Sequence, residues 1–211
     1  MKSVVGIDPS LSNTAVCVYD GTDFATTCFP TKPTGRLLRH RIDRYCFVAA
    51  GVCKLLVEAQ RPTLVLIEGY GFRSQAANAQ GEFGGILRFL INSALPTGLH
   101  NVAEVAPATL KKFAAGKGNA KKIAMVAALT KRYDVLFETD DEYDAYALAR
   151  MAACLAGIEE PQTQQQRTAM ETVRKSAGIP TLAEGTEEVT LALSKDRHGY
   201  ACQLRPLKTG N

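Results

Sequence analysis

Two short, almost wholly apolar runs of the sequence each end on a carboxylate, and together they constrain the fold more than any other feature. The first is KSVVGID at residues 2–8, ending on Asp8, and the second is TLVLIE at residues 63–68, ending on Glu68. Runs of this length and composition predict buried strands, and the second suits a central strand covered on both faces of its sheet. A helical period of apolar residues over 36–60 predicts the helix that leads into it.

The rest of the pattern predicts an α/β domain with a mixed, five-stranded sheet flanked by helices. Alternating segments at 14–20 and 23–29 surround a hairpin signal, Asp20-Gly21, and predict two antiparallel strands. Hairpin-linked strands followed by strand–helix–strand crossovers give a sheet of mixed direction. A fifth strand is expected at 100–106, and further helices at about 80–94, from Pro107, at 120–133, at 139–157 and at 167–177.

The composition is that of a globular protein, since 46% of the residues are hydrophobic. No apolar run approaches the roughly 20 residues that a bilayer span needs. The N-terminal stretch MKSVVGIDPS turns acidic too early for a signal peptide. We therefore expect a soluble, cytoplasmic protein without a membrane partner. The six cysteines form no C-x-x-C pair, which argues against a zinc ribbon.

An apolar helix over about 139–157 begins with four carboxylates in five residues. Thr139 and Glu142 have the spacing of a capping box, which accounts for Glu142 structurally. Asp141 and Asp144 are three residues apart, and their face of the helix continues into the apolar stripe that should pack on the sheet. Because unpaired buried charge is expensive, these two carboxylates need a partner.

Asp8 and Glu68 are two further carboxylates that could lie beside Asp141 and Asp144 and share the same partner. Ligand sites in open α/β sheets lie at the carboxyl ends of the strands, so Asp8, Glu68, Asp141 and Asp144 are expected to meet if the two strands are neighbours. Such groups repel one another by about 4 kcal/mol per pair at 4 Å and an effective dielectric of 20. A divalent cation relieves that repulsion, and an all-oxygen ligand set without His or Cys favours Mg²⁺ or Mn²⁺ over zinc.

Basic residues gather in two segments of a chain whose net charge is +4. A Gly-rich turn, Gly116-Lys117-Gly118-Asn119, precedes a helix and could hold a phosphate, although a solvated lysine-rich helix face is the alternative. The turn lies within the first basic segment, residues 111–132, and a second cluster of basic residues lies within 36–44. The first segment contains no acid and carries Lys111, Lys112, Lys117, Lys121, Lys122, Lys131 and Arg132.

Four segments of the chain resemble, in order, the motifs of RuvC-like Holliday-junction resolvases of the ribonuclease H-like superfamily. The resemblance covers about residues 1–157, which we take as the nuclease domain, and leaves 158–211 as an extension with a helix and a hairpin-like end. An extension of this kind is compatible with a phage-type member. The segments are GIDPS at 6–10, LIEGYGF at 66–72, PATLKKFAAGKGNAKK at 107–122 and DEYDAYALA at 141–149.

The resemblance implies a homodimeric nuclease that uses two Mg²⁺ ions, replaceable by Mn²⁺, to nick two symmetric strands of a four-way DNA junction. It places the catalytic acids at Asp8, Glu68, Asp141 and Asp144. Lys122, and less directly Lys111, match the catalytic or phosphate-contacting lysines of the family. An aromatic residue after the Glu stacks on DNA bases in the family. Here Tyr70 and Phe72 are both candidates, with Arg73 beside them, and Lys111, Lys112, Lys117 and Lys121 are expected to contact DNA.

Three other functions are open at this stage. GIDPSLSNTA also resembles the first phosphate loop of actin-like ATPases and sugar kinases, but no second Gly-rich phosphate motif follows. A junction-binding protein that does not cut would be favoured by a missing acid, whereas all four are present. A less selective nuclease acting on flaps or on RNA–DNA hybrids would use the same acids.

Overall fold

Five strands form a single mixed sheet in a computed structural model that describes residues 2–60, 62–70, 77–96 and 101–179. All described residues belong to one folded unit, Met1–Thr181. The strands are β1 (Val4–Asp8), β2 (Asn13–Tyr19), β3 (Phe24–Pro30), β4 (Leu64–Glu68) and β5 (Val102–Val105).

The strand order is β3-β2-β1-β4-β5, which confirms the mixed sheet. β1 and β2 pair antiparallel, as do β2 and β3, so the predicted hairpin is present. β1 and β4 pair parallel, with Val4 opposite Leu64 and Ile7 opposite Ile67. The two acid-terminated strands are therefore neighbours in register, and both finish at one end of the sheet. We call this end the acidic edge.

Six helices accompany the sheet in the described part of the chain, each beginning within about three residues of its predicted start. They are α1 (Leu38–Glu58), α2 (Ala77–Ala94), α3 (Pro107–Ala115), α4 (Lys122–Tyr133), α5 (Asp140–Leu155) and α6 (Gln164–Ala177). The predicted capping box at Thr139 is present, because its hydroxyl accepts from the Glu142 backbone N–H while the Glu142 carboxylate accepts from the Thr139 N–H. Pro107 opens α3, where its missing N–H is not needed.

The helices form a layer on each face of the sheet, and alternate strand residues face the two layers. Val5, Ile7, Val65 and Ile67 pack with the buried stripes of α1 and α2. The intervening residues of the same strands, with the apolar sides of α3 to α6, form the second core. This alternation explains why β1 and β4 are apolar at every position before the terminal acid.

α6 confirms the helix expected at 167–177 and adds Ala169, Met170 and Val173 to the second core. The hairpin-like segments expected beyond it, VTLAL and YACQL, lie outside the described residues. The division of the chain at residue 157 stays a prediction. Among the described helices, none is both long enough and apolar enough to span a membrane.

Gly6 lets α5 lie directly on the centre of the sheet. A Cβ atom built on Gly6 would stand 2.1 Å from the carbonyl oxygen of Ala145 and 2.4 Å from the backbone nitrogen of Ala149. These are backbone atoms of α5, which cannot swing aside as a side chain does. The absence of a side chain at Gly6 therefore fixes how closely α5 approaches β1.

Replacing Gly6 with alanine is expected to lower the free energy of unfolding by at least about 2 kcal/mol, because the added methyl group forces α5 away from β1. Gly85→Ala is the matched control, since a Cβ at Gly85 in α2 meets nothing within 4 Å. Alanine there should leave stability unchanged or raise it by up to about 1 kcal/mol. Urea unfolding measures both variants, and equal stability of the two would contradict the close-packing argument.

Candidate metal centre

Three carboxylates from distant parts of the chain converge at the acidic edge. Asp8 ends β1, Glu68 ends the neighbouring β4, and Asp144 lies in the second turn of α5. One oxygen from each lies within 4.8 Å of the other two. Asp8 and Asp144 are each only 6% exposed, so water does little to screen their mutual repulsion.

Asp141 lies one turn before Asp144 and lines the same cleft, which has a volume of about 270 Å³. It does not share the close grouping of the other three acids. Its carboxylate accepts a hydrogen bond from the side-chain amide of Asn13, at 2.9 Å, and Asn13 opens β2. Asn13 was not predicted as a site residue from the sequence. Its position after the Asp8 turn is the only local signal, and its partner is 128 residues away.

Among the described residues, Lys122 supplies the positive charge closest to the carboxylates. Its ammonium group donates to Asp144 Oδ2 and lines the cleft. It is the first residue of α4, so the break between α3 and α4 determines where this side chain is presented. Lys111, in α3, also acts on the cluster, since its charge opposes the rise in the pKa of Glu68.

Burial and mutual repulsion weaken the acidity of the carboxylates. Desolvation is the largest cause at Asp8, followed by the charges of Glu68, Asp144 and Asp141, and together they hold its pKa well above the ordinary value. Desolvation, with the charge of Asp144, raises the pKa of Glu68 to about 7. Desolvation also raises the pKa of Asp144, although Lys122 opposes the shift. The cluster is thus short of positive charge.

The donor set fits a divalent metal ion. Asp144 lines the cleft, and its Oδ1 atom is buried without a hydrogen-bond partner among the described residues. All the converging atoms are carboxylate oxygens, which are the ligands of hard divalent cations. Such an ion would relieve both the repulsion and the unsatisfied oxygen.

Tyr70 is held against α2 and is not presented at a loop tip. Its hydroxyl accepts a hydrogen bond from Arg88, whose guanidinium lies 4.9 Å from the ring centroid and also pairs with Glu104 at 2.5 Å. A Cβ on Gly84 would lie 1.1 Å from the Tyr70 hydroxyl oxygen, so Gly84 makes room for it. Phe72 and Arg73 lie outside the described residues.

The predicted basic segment surrounds the break between α3 and α4. Lys117 and Lys121 are exposed, whereas Lys111 and Lys112 are half-buried on α3. Gly116 ends α3 with a left-handed φ of 81°, as its helix-terminating position requires. At the far end of α4, Arg132 donates to the Ala114 carbonyl at 3.1 Å and therefore has a structural partner.

Comparison with known proteins gives a result only at the level of structure. No protein-family model matches the sequence, and a search of curated proteins finds no match. Among solved structures, RuvC of T. thermophilus in complex with a Holliday junction substrate is 21% identical, with a TM-score of 0.56 over 71% of this chain and 91% of that chain.

A second structure of Thermus thermophilus RuvC gives 20% identity and a TM-score of 0.53, over 70% of this chain and 90% of that one. The yeast mitochondrial Holliday junction resolvase Ydc2 follows at 15% identity and a TM-score of 0.47, with coverages of 84% and 83%. The chain has a ribonuclease H-like fold. In particular, it has the fold of RuvC, which confirms at the level of the fold the resemblance drawn from the four sequence segments.

From the raised pKa values of Asp8 and Glu68 we predict that, without metal, the stability of the folded chain falls as the pH rises. The folded chain holds protons on Asp8 and Glu68 that the unfolded chain has already released, so the free energy of unfolding should decrease between about pH 4.5 and 7. The expected decrease is on the order of 2 kcal/mol. Urea titrations in chelator at several pH values measure it.

Glu68→Gln should flatten this pH dependence, because the variant has no proton to lose at that position. Glu171→Gln, an exposed position on α6, is the control and should leave the slope unchanged. Adding Mg²⁺ at pH 8 should restore stability to the parent protein, since an ion that binds only the folded chain stabilises it. Stability that rises with pH in chelator would count against the cluster as described.

Proposed function

We propose that the protein is a structure-selective endonuclease that resolves four-way DNA junctions by metal-dependent hydrolysis of phosphodiester bonds. The observation that carries the proposal is the convergence of Asp8, Glu68 and Asp144 within 4.8 Å at the acidic edge of a RuvC fold. The similar RuvC structure contains a Holliday junction substrate. Lys122 lines the cleft, and together with the neighbouring lysines of 111–121 it suits a polyanionic substrate.

The proposed cofactor is a pair of Mg²⁺ ions, for which Mn²⁺ can substitute. Asp8, Glu68 and Asp144 would hold them, with Asp141 contributing from the preceding turn of α5. Bound at this site, the ions would activate a water molecule and stabilise the leaving 3′ oxygen. The protein's own contribution is to keep four carboxylates in place through two strands and a capped helix, so that little reorganisation is needed when the substrate arrives.

Lys122 has a proposed catalytic role beside the acids. Its ammonium already pairs with Asp144, and it borders the cleft, where a scissile phosphate would bring further negative charge. A lysine in this position can orient the phosphate and offset charge in the transition state. Lys111 lies on the neighbouring helix and has a supporting electrostatic role.

Contacts to DNA are proposed for the exposed lysines and the loop after Glu68. Lys117 and Lys121 would contact phosphates, with Lys111 and Lys112 nearer the cleft. The anchoring of Tyr70 by Arg88 favours Phe72 over Tyr70 as the base-stacking residue, with Arg73 beside it. A cytoplasmic location stays a prediction.

A homodimer follows from the proposed reaction, because two symmetric nicks need two sites and the described residues provide one carboxylate cluster per chain. The outer faces of α1 and α2 support it. Phe47 is 70% exposed, Phe89 is 57% exposed, and a shallow groove lined by Ala50 and Leu90 lies between the two helices. We propose that this apolar surface, which we call the α1–α2 face, packs against a second copy of the chain.

The function is tested with labelled DNA and paired metal conditions. Wild-type protein should nick a four-way junction at two symmetric positions with Mg²⁺, and not in chelator. A linear duplex, a flap and an RNA–DNA hybrid of the same sequence are the comparison substrates. Asp8→Asn should lower cleavage by at least about 10³-fold while keeping junction affinity, because it removes a metal ligand and one negative charge.

Each of the other outcomes has a clear reading. Equal cutting of the flap or the hybrid would favour the less selective nuclease, and tight junction binding without any cutting would favour a binding protein. Asp140→Asn is the matched control, since Asp140 is an exposed acid in the first turn of α5 and is not one of the three grouped carboxylates. Metal-dependent cutting by Asp8→Asn at the wild-type rate would contradict the proposed site.

The oligomeric state is tested by light scattering coupled to gel filtration. Wild-type protein at about 50 μM is expected to have the mass of a dimer, and Phe89→Glu that of a monomer, because burying the new charge costs several kcal/mol. Leu136→Glu is the control, since Leu136 is 87% exposed and lies outside the α1–α2 face. A monomeric wild type, or a dimeric Phe89→Glu, would contradict the proposed interface.

A further inference from the structure

The start of α1 carries basic side chains that the proposed catalytic site does not use. Residues 32–44 contain five Lys and Arg residues and a single acid, Asp43. Arg36 and Arg39 are exposed, and neither makes an ion pair with a described residue. Arg44 is half-buried beside the ring of Tyr45. We call Arg36, Arg39 and Arg44 the arginine face.

Sheet topology brings the arginine face to the acidic edge. β3 runs in the same direction as β1, so it ends at the same side of the sheet, and Pro30 at its end pairs with Asn13. The next residue, Thr31, donates its backbone N–H to the Ser12 carbonyl at 2.8 Å and its hydroxyl to the Leu11 carbonyl at 3.1 Å. The chain therefore enters α1 from beside the turn that follows Asp8.

A second contact ties the same end of α1 to the cleft. Arg41 pairs with Glu82 at 2.6 Å, and Gln80, two residues earlier on α2, lines the cleft of the carboxylates. Arg41 is occupied by this pair and is therefore not counted in the arginine face. The first turns of α1 and α2 thus lie side by side at the acidic edge.

The arginine face and the lysines of 111–122 lie on opposite faces of the sheet. α1 and α2 belong to one helical layer, and α3 and α4 to the other. The carboxylates lie between these two basic surfaces. The first turns of α1, α3 and α4 contain no acid, and none of the described side chains caps their N-termini. Their backbone dipoles therefore add to the positive potential at this edge.

Two basic surfaces around one cleavage site suit a substrate with two strands to hold. Lys122 lines the cleft on the α3–α4 side, and the lysines of this side suit the strand that is cut. We infer that the arginine face binds the phosphate backbone of a second DNA strand, on the α1 side of the same site. The inference rests on the proposed function and extends it, because it assigns recognition to residues outside the catalytic cleft. Arginine suits this task, since its planar guanidinium can donate two parallel hydrogen bonds to phosphate oxygens.

The test is the salt dependence of DNA binding by the full chain, measured by fluorescence anisotropy in chelator so that no cleavage occurs. Arg36→Ala, Arg39→Ala and Arg44→Ala are combined in one variant. The slope of log affinity against log salt should fall in magnitude by about 2 or more, and affinity for a four-way junction should fall at least about tenfold at 0.1 M salt. The corresponding triple Arg→Lys variant should keep most of the slope, because it keeps the charge.

The control variant removes three other exposed basic residues, Lys54, Lys131 and Lys175, from helix ends far from the arginine face. Its slope should match the wild type. An arginine variant with the slope of this control would overturn the inference, provided that the two unfold at the same temperature. If the wild type cuts junctions and the arginine variant binds with an unchanged slope, only this inference fails. If the wild type binds no DNA, the proposed function fails as well.

Discussion

The close approach of α5 to β1 at Gly6 is the contact on which the rest of the molecule depends. A side chain at Gly6 would collide with the backbone of α5 at Ala145, the residue that directly follows Asp144. The packing that closes the core is therefore the same packing that sets Asp144 beside Asp8. Fold and site share one constraint, so a change that loosens the helix from the sheet also separates the carboxylates.

That arrangement places the chain under electrostatic strain that its own residues relieve only in part. Lys122 neutralises one carboxylate and Asn13 holds another, yet the pKa values of Asp8, Glu68 and Asp144 stay raised, chiefly through desolvation. Replacing the cluster with apolar side chains would remove the penalty. Its presence therefore needs a reason other than stability, and a bound divalent cation supplies one, because it lowers the energy of these same groups when they are charged.

The sequence predicted the strands and the helices, because these depend on local signals, and it predicted where the acids would meet only on the condition that β1 and β4 are neighbours. An apolar run that ends on Asp8 or Glu68 predicts both a buried strand and the residue at which that strand ends. Contacts between distant residues carry no such signal. The hydrogen bond from Asn13 to Asp141, the anchoring of Tyr70 over Gly84, and the pairing of Lys122 with Asp144 each depend on how separate elements dock. The sequence alone therefore could not distinguish Tyr70 from Phe72 as a candidate for base stacking.

The acidic start of α5 illustrates how one helical turn can serve several purposes. Glu142 closes the capping box and also accepts a hydrogen bond from Thr26 on β3, so it fixes where the helix begins and ties it to the sheet. Asp141 is held by Asn13 at the mouth of the cleft, and Asp144 reaches the buried cluster. Asp141 and Glu142, in the first turn, benefit from the positive end of the helix dipole, which partly offsets the crowding of the acids. Because Glu142 fixes where α5 begins, it also fixes the positions of Asp141 and Asp144, the two carboxylates of α5 that line the cleft.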